Sequence, residues 1–442
     1  MWGSANSAKA VERESVIAEG SRKLFSEKLA LLQNWLVLLY AASLPVSLTA
    51  SWIILCVGLS LWVLQLLAHS IESRSAVTNI EKPPLLLPLS LFAAALFLSG
   101  LPNGGVLEAL DSVVSLRAVL VYFWAFQVFS SNRGLVFWCV QILLIVGAAA
   151  GVFGTIEQLF NFHPFGYRYL QGTGFLGSPM AYAGQMQILS ALALAIFLDR
   201  GYWQFRFGLS RKPVFALITF ANVLGVLFAS ERSAWLGAIA GAVALTAVLS
   251  WRTLIKTCLA LAVVSALCWA TVPVVHTRIA QLENWQQDVS VKARLVIWQE
   301  SVRIWRSSPI FGVGVRHFPR FTIPEATMLG HSRQLNHAHN NYLHILSTTG
   351  LLGLLTYLWL WAAVLLTAWR IYRRTRGMAG AQDENALMLG ILGSTIALLV
   401  SGLFEYNFGT AQVRLAQWFV LAMLPAVVSY SKSSKVPKES QS

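Results

Sequence analysis

The chain has 442 residues, 56% of them hydrophobic and 12% charged, with a formal net charge of +14. Runs of about twenty apolar residues, the length that crosses a bilayer core as helix, follow one another along it. It therefore reads as a polytopic membrane protein rather than a string of soluble domains, and its four cysteines, all inside apolar segments without paired spacing, imply neither a disulfide framework nor a zinc site.

Residues 1–28 are polar and mixed in charge, without the short apolar core and cleavage site of a signal peptide, and are expected to form a cytoplasmic tail. Twelve apolar windows follow, at 29–45, 47–68, 85–101, 112–130, 134–156, 180–198, 213–230, 233–250, 253–273, 341–369, 386–404 and 409–430. They predict one all-α membrane domain over 29–430 and a second cytoplasmic tail at 431–442. An even number of spans puts both termini on one side, and that side collects 21 of the 33 basic residues, as the positive-inside rule requires of the cytoplasm. The charge is thus a topology signal, and no nucleic-acid partner is expected. No internal repeat of the kind found in many transporters is evident.

The other side carries one long hydrophilic segment, 274–340, and outside it only four basic residues, Arg117, Arg168, Arg232 and Arg414. Arg232 sits in the very short connection of "FASERSAWLG". There a local ion pair with Glu231, or snorkelling to headgroups, competes with a bidentate grip on a lipid phosphate. Arg117, just inside the fourth window, and Arg414, in the last, face the same choice. Arg168 lies in "HPFGYRYLQGTGFLGSP", whose aromatic residues are explained by anchoring at the membrane interface.

Within 274–340, Val291, Leu295, Trp298, Val302 and Trp305 form one apolar helical stripe, expected to lie against the membrane or the bundle. At about 100° per residue Arg294 sits about 40° from Trp298 and borders the stripe, whereas Arg303 sits about 140° away. Arg294 is the better placed to face a buried site. "SSPIFGVGVRHF" then supplies Pro309, Gly312 and Gly314 for tight turns.

The segment ends in "LNHAHNNYLHILSTTGLLG", where Asn340 or Asn341 can cap the helix of the tenth window. His339 then stands at a helix N-terminus, where the dipole disfavours the imidazolium form and leaves a base. A histidine at a helix start is, taken alone, more often structural. His337, two residues earlier, is expected to orient the loop or an acceptor, and His344 to pack. His-x-His without a third ligand is a poor metal site. The acids on this side, Glu108, Asp111, Glu157, Glu231, Glu283, Asp288, Glu300, Glu325 and Glu405, include no close pair to hold magnesium or manganese against a diphosphate. Neither metal nor cofactor is expected.

His339-Asn340, nine residues, Gly350, two residues and Gly353 resemble the H-N-x9-G-x-x-G signature of the superfamily of O-antigen ligases, O-linked oligosaccharyltransferases and O-antigen polymerases. "SERSAW" is similar to that superfamily's arginine-bearing connection, and "ARLVIW…SSPIFGVGVRHF" to its loop pattern. The likeness extends over about 29–430. It implies a GT-C-like, all-α fold of about twelve transmembrane helices in the bacterial inner membrane, with a large loop, 274–340, and an active site facing the periplasm. The implied reaction is O-antigen ligation: a glycan passes from undecaprenyl diphosphate to a sugar hydroxyl of lipid A–core, without metal and with inversion. By motif, His339 matches the essential histidine, Arg232 the first essential arginine and Arg294 the second, with Arg303 on the same helix. His337, Asn340, Arg117 and Arg168 complete the expected substrate-binding set. A protein or a growing glycan are the alternative acceptors within the superfamily, and a lipid-linked glycan transporter is the alternative outside it.

Overall fold

The computed structural model describes residues 24–72, 82–165, 171–198, 211–283, 286, 288–320, 337–378 and 381–424, and all regular structure among them is helical. The elements are α1 (24–43), α2 (Leu48–Glu72), α3 (Leu86–Val114), α4 (Leu120–Ser131), α5 (Gly134–Phe160), α6 (Pro179–Leu198), α7 (Arg211–Phe228), α8 (Arg232–Leu249), α9 (Trp251–Thr271), α10 (Pro273–Glu283), α11 (Val289–Ser307), α12 (Asn341–Thr375), α13 (Gln382–Ser401) and α14 (Ala411–Leu421). A helix occupies each of the twelve apolar windows. Among the described residues eight of them, α2, α3, α5, α6, α8, α9, α12 and α13, are long and apolar enough to cross a membrane. The hydrophilic segment adds α10 and α11.

The core forms around α6, whose charge-free sequence of alanine, leucine and short polar residues is buried along nearly its whole length against α7, α8, α13 and α14. Small residues let these helices approach closely, the usual basis of helix packing where lipid removes the hydrophobic drive. A β-carbon on Gly241 of α8 would stand 2.6 Å from the Gly393 carbonyl of α13. At the other extreme is α9. It buries no residue, and Leu259, Val263, Val264 and Leu267 are all more than half exposed.

Asp288 caps α11 by accepting from the backbone N–H groups of Ser290 and Val291. The face of α11 that is buried is Ala293, Ile297, Ser301 and Ile304, offset from the apolar stripe read in the sequence. The stripe residues Val291, Leu295 and Trp298 line a cavity instead. A helix with protein on one side and an apolar cavity on the next shows its cavity face as the longer run of large side chains.

The 35-residue α12 is broken once, at Gly350, with φ +68° and ψ −167°. The loop 309–314 supplies the hydrogen bonds that the break removes. Val313 N–H donates to the Ser347 carbonyl at 3.1 Å and Gly314 N–H to Thr348 at 2.8 Å, while Leu351 N–H donates to Pro309 at 2.8 Å and Leu352 N–H to Ile310 at 3.3 Å. A β-carbon at position 350 would lie 2.1 Å from the Ile310 carbonyl oxygen. The first glycine of the motif is therefore required twice, by its left-handed φ and by the loop pressed against it.

Candidate active site

Asn340 is the N-cap of α12, its Oδ1 accepting from Leu343 N–H at 2.9 Å and its Nδ2 donating to the Leu403 carbonyl at 2.8 Å. Both ends of the amide are thus engaged by the fold, the oxygen within α12 and the nitrogen across to the turn after α13. His339 precedes the cap and adopts φ +47°, a conformation that non-glycine residues seldom hold without support. The support is local: His339 N–H donates to His337 Nδ1 at 3.3 Å, and the Ala338 carbonyl accepts from Trp298 Nε1 of α11 at 3.1 Å.

The turn after α13 brings Glu405 to this point. His339 Nδ1 lies 3.2 and 3.3 Å from the two carboxylate oxygens, and Tyr406 N–H donates to Oε1 at 3.0 Å. Arg294 Nη2 stands 3.6 Å from Oε2. Burial pushes the Glu405 carboxyl up, but the His339 hydrogen bond and the charges of His339, His337 and Arg294 outweigh it and hold the group below its ordinary value. An ionised carboxylate only accepts, so Nδ1 carries the proton in this hydrogen bond and Nε2 is the ring nitrogen that Glu405 does not engage. His337, whose ring centre is 4.1 Å from that of His339, is pushed down to about 4 by burial and by the His339 charge, against the pull of Glu405. Two histidines and an acid share the site in unequal roles.

His337, His339 and Glu405 present donor atoms within 4.8 Å of one another, enough in number for a cation. Glu405 is the third ligand that spacing alone lacked, 66 residues from His339, and this corrects the view of the pair as isolated. The occupants argue for proton chemistry. His337 Nδ1 already accepts from a backbone N–H, and the Arg294 guanidinium shares the carboxylate.

Arg232, the first residue of α8, bonds Asp288 at the start of α11, Nη2 to Oδ2 at 2.9 Å. Its partner is therefore Asp288 and not the adjacent Glu231, because the α11 cap folds back over α8. Burial raises the Asp288 carboxyl, yet the Arg232 hydrogen bond and charge, with two backbone N–H donors, leave it lowered. Glu231 is pushed up to about 7 by burial and by the Glu405 charge, against Arg294, Arg278 and Arg232. Arg303 is 70% exposed and paired with Glu300, whereas Arg294 is 20% exposed and turned inward.

Beside these arginines opens a cavity of about 990 Å³ between α6–α8 and α9–α11. Arg232, Arg278 and Arg294 mark one end, next to Trp298 and Phe404; Thr253, Lys256 and Thr257 mark the other. Thr253, Lys256, Thr257, Ala260, Leu261, Val264, Ser265 and Cys268 line it at helical spacing, so its wall follows α9 for about 22 Å at 1.5 Å per residue.

The remaining candidates that the structure describes have other partners. Arg117 is exposed and sits 5.7 Å over the Trp52 ring. Arg414 Nη1 donates to the Ser115 carbonyl at the end of α3, and Arg168 lies outside the described residues. His344 is buried between Phe318 and Tyr406. Nothing in the sequence singles out Arg278, and Glu405 and Asp288 stand there as scattered acids; the one signal for Glu405 is a lone acid in the short apolar connection "SGLFEYNFG".

No curated protein matches the chain. Residues 213–358, which include Arg232, Arg294, His339 and Gly350, match the family model described as O-Antigen ligase, so over that third of the chain the protein is similar to the O-antigen ligase family.

Proposed function

We propose that the protein transfers a glycan from a polyprenyl diphosphate, undecaprenyl diphosphate in a bacterial inner membrane, to a sugar hydroxyl of lipid A–core on the periplasmic face. The observation that carries this is the junction of two environments: an apolar cavity ends at three arginines, and next to it stands the His339–Glu405 pair. A long isoprenoid tail matches the cavity, and a diphosphate matches its cationic end. Arg232 and Arg294 stabilise the negative charge that grows on the leaving diphosphate.

In the transfer step the acceptor oxygen attacks the anomeric carbon while the carbon–oxygen bond to the diphosphate breaks, its electron pair passing to the diphosphate oxygen. The hydroxyl proton passes to His339 Nε2, and Glu405 fixes the ring and stabilises the imidazolium so formed. Attack opposite to departure inverts the anomeric centre. No step uses a divalent metal.

Purified protein supplied with a lipid-linked glycan and, separately, lipid A–core, a protein acceptor or free glycan tests this. Glycan appearing on lipid A–core, at a rate unchanged by excess chelator, is the expected result. Labelling of a protein or of free glycan would reassign the acceptor, loss of activity to chelator with return on adding magnesium or manganese would reassign the His337–His339–Glu405 cluster, and glycan translocation without a new bond would sink the enzyme reading.

A further inference from the structure

The buried polar side chains that the transfer step does not use converge on the start of α12 and the turn that follows α13. Asn341 is 1% exposed. Its backbone N–H donates to the Gly402 carbonyl at 2.7 Å, its Nδ2 donates to Asn407 Oδ1 at 2.6 Å, and its Oδ1 accepts from Phe408 N–H at 3.1 Å. Asn407 is held in turn. Its Nδ2 donates to the Leu398 carbonyl at 2.9 Å and to Ser401 Oγ at 2.7 Å, and Ser401 Oγ also accepts from Gln187 Nε2 of α6 at 3.0 Å. A β-carbon on Gly402 would meet Asn341 Nδ2 at 2.3 Å, so the turn closes onto this side chain as tightly as a glycine allows.

Residues 402 and 407–408, both bound to Asn341, bracket Glu405. We infer that Asn341 is a positioning residue, which holds Glu405 against Nδ1 of His339 by closing the 402–408 turn around its own amide. The inference rests on the reading of Glu405 as the orienting partner of His339. The groups that face Glu405 are His339, His337, Arg294, Glu231 and the Tyr406 N–H. None of them fixes the turn. The Tyr406 N–H travels with Glu405, and Arg294, on a separate helix, follows the carboxylate rather than aiming it. An amide is suited to the task because it offers one donor and one acceptor in a rigid plane at a site where neither can fall back on water.

The test is a cycle of variants: Asn341→Leu, Glu405→Gln and the double change, each assayed for turnover and donor half-saturation with a polyprenyl-diphosphate-linked glycan and purified lipid A–core. Asn341→Leu is expected to lower turnover about tenfold to a hundredfold, as loss of an orienting partner commonly does, with donor half-saturation unchanged. The double variant is expected to be no slower than Glu405→Gln alone, because both changes remove the same interaction. Losses that multiply would mean that Asn341 acts on the fold and not through Glu405, and would overturn the inference. So would full turnover in Glu405→Gln. Asn341→Ala, which removes both side-chain hydrogen bonds and keeps the backbone donation to Gly402, serves where the leucine variant fails to fold, with the same non-additivity expected. A wild-type protein that transfers to no acceptor would instead bring down the proposed function, and this inference with it.

Discussion

Around His339, side-chain amides, backbone carbonyls and a carboxylate are joined into one network, and even the strained φ at position 339 is held from several directions. Around the cavity, α9 contributes no buried residue and touches chiefly α8 and α10. The contrast fits two tasks. Proton transfer requires that atoms stay put to within fractions of an ångström, whereas a lipid-anchored substrate must enter sideways through a wall with little packing energy to lose. Arg294 belongs to both regions, lining the cavity while facing Glu405.

If the division is real, variants on the network side should lose turnover and keep donor binding. His339→Ala is the strongest case: turnover should fall about a hundredfold to ten-thousandfold, the usual worth of a general base, while a fluorescent polyprenyl diphosphate binds as before. Turnover near wild type would make His339 structural and erase the contrast. On the cavity side the signs reverse. Arg232→Lys and Arg294→Lys should raise donor half-saturation about tenfold or more, because lysine lacks the planar two-donor fork, and Arg303→Lys should change nothing measurable. Wild-type half-saturation in both Arg232→Lys and Arg294→Lys would show that bulk charge, not geometry, holds the diphosphate.

A smaller effect is expected where α12 breaks. Gly350→Ala forces a side chain into the left-handed region, a cost of about 1–2 kcal/mol before any clash, so the melting temperature should drop by a few degrees. An unchanged melting temperature would mean that the loop yields. The smallest effect concerns Glu231, whose carboxyl is pushed up to about 7. Its native state holds the proton more tightly than the unfolded chain, so its contribution is fully present below the ordinary carboxylate range and is lost as pH rises toward 7. Glu231→Gln cannot titrate. Its melting temperature should therefore gain on wild type between pH 5 and 8, and a pH-independent difference would count against the assigned environment.

The two regions were unequally legible in the sequence. Helix periodicity and apolar length located the spans, because a bilayer leaves the backbone few other options. His339 and Arg294 could be picked out through a cap and a helical face, both of which are local. Glu405 could not, since its meaning depends on a turn 66 residues away folding onto the start of α12. Asp288 was hidden in the same way: its bond to Arg232 crosses 56 residues. The apolar stripe of α11 was visible but ambiguous, for a helix wall facing a lipid cavity has the same periodicity as one facing protein.

The break at Gly350 also fixes how the two halves of the motif can change. Two carbonyls and two N–H groups of α12 are matched, one for one, to loop residues 309, 310, 313 and 314, so loop and helix share a single phase. One residue inserted between Ile310 and Val313 would shift two of those pairings relative to the other two and leave polar groups unmatched inside the bundle. The length of that short stretch is therefore as constrained as the identity of the glycine, although a connecting loop would ordinarily be the first place to tolerate an insertion.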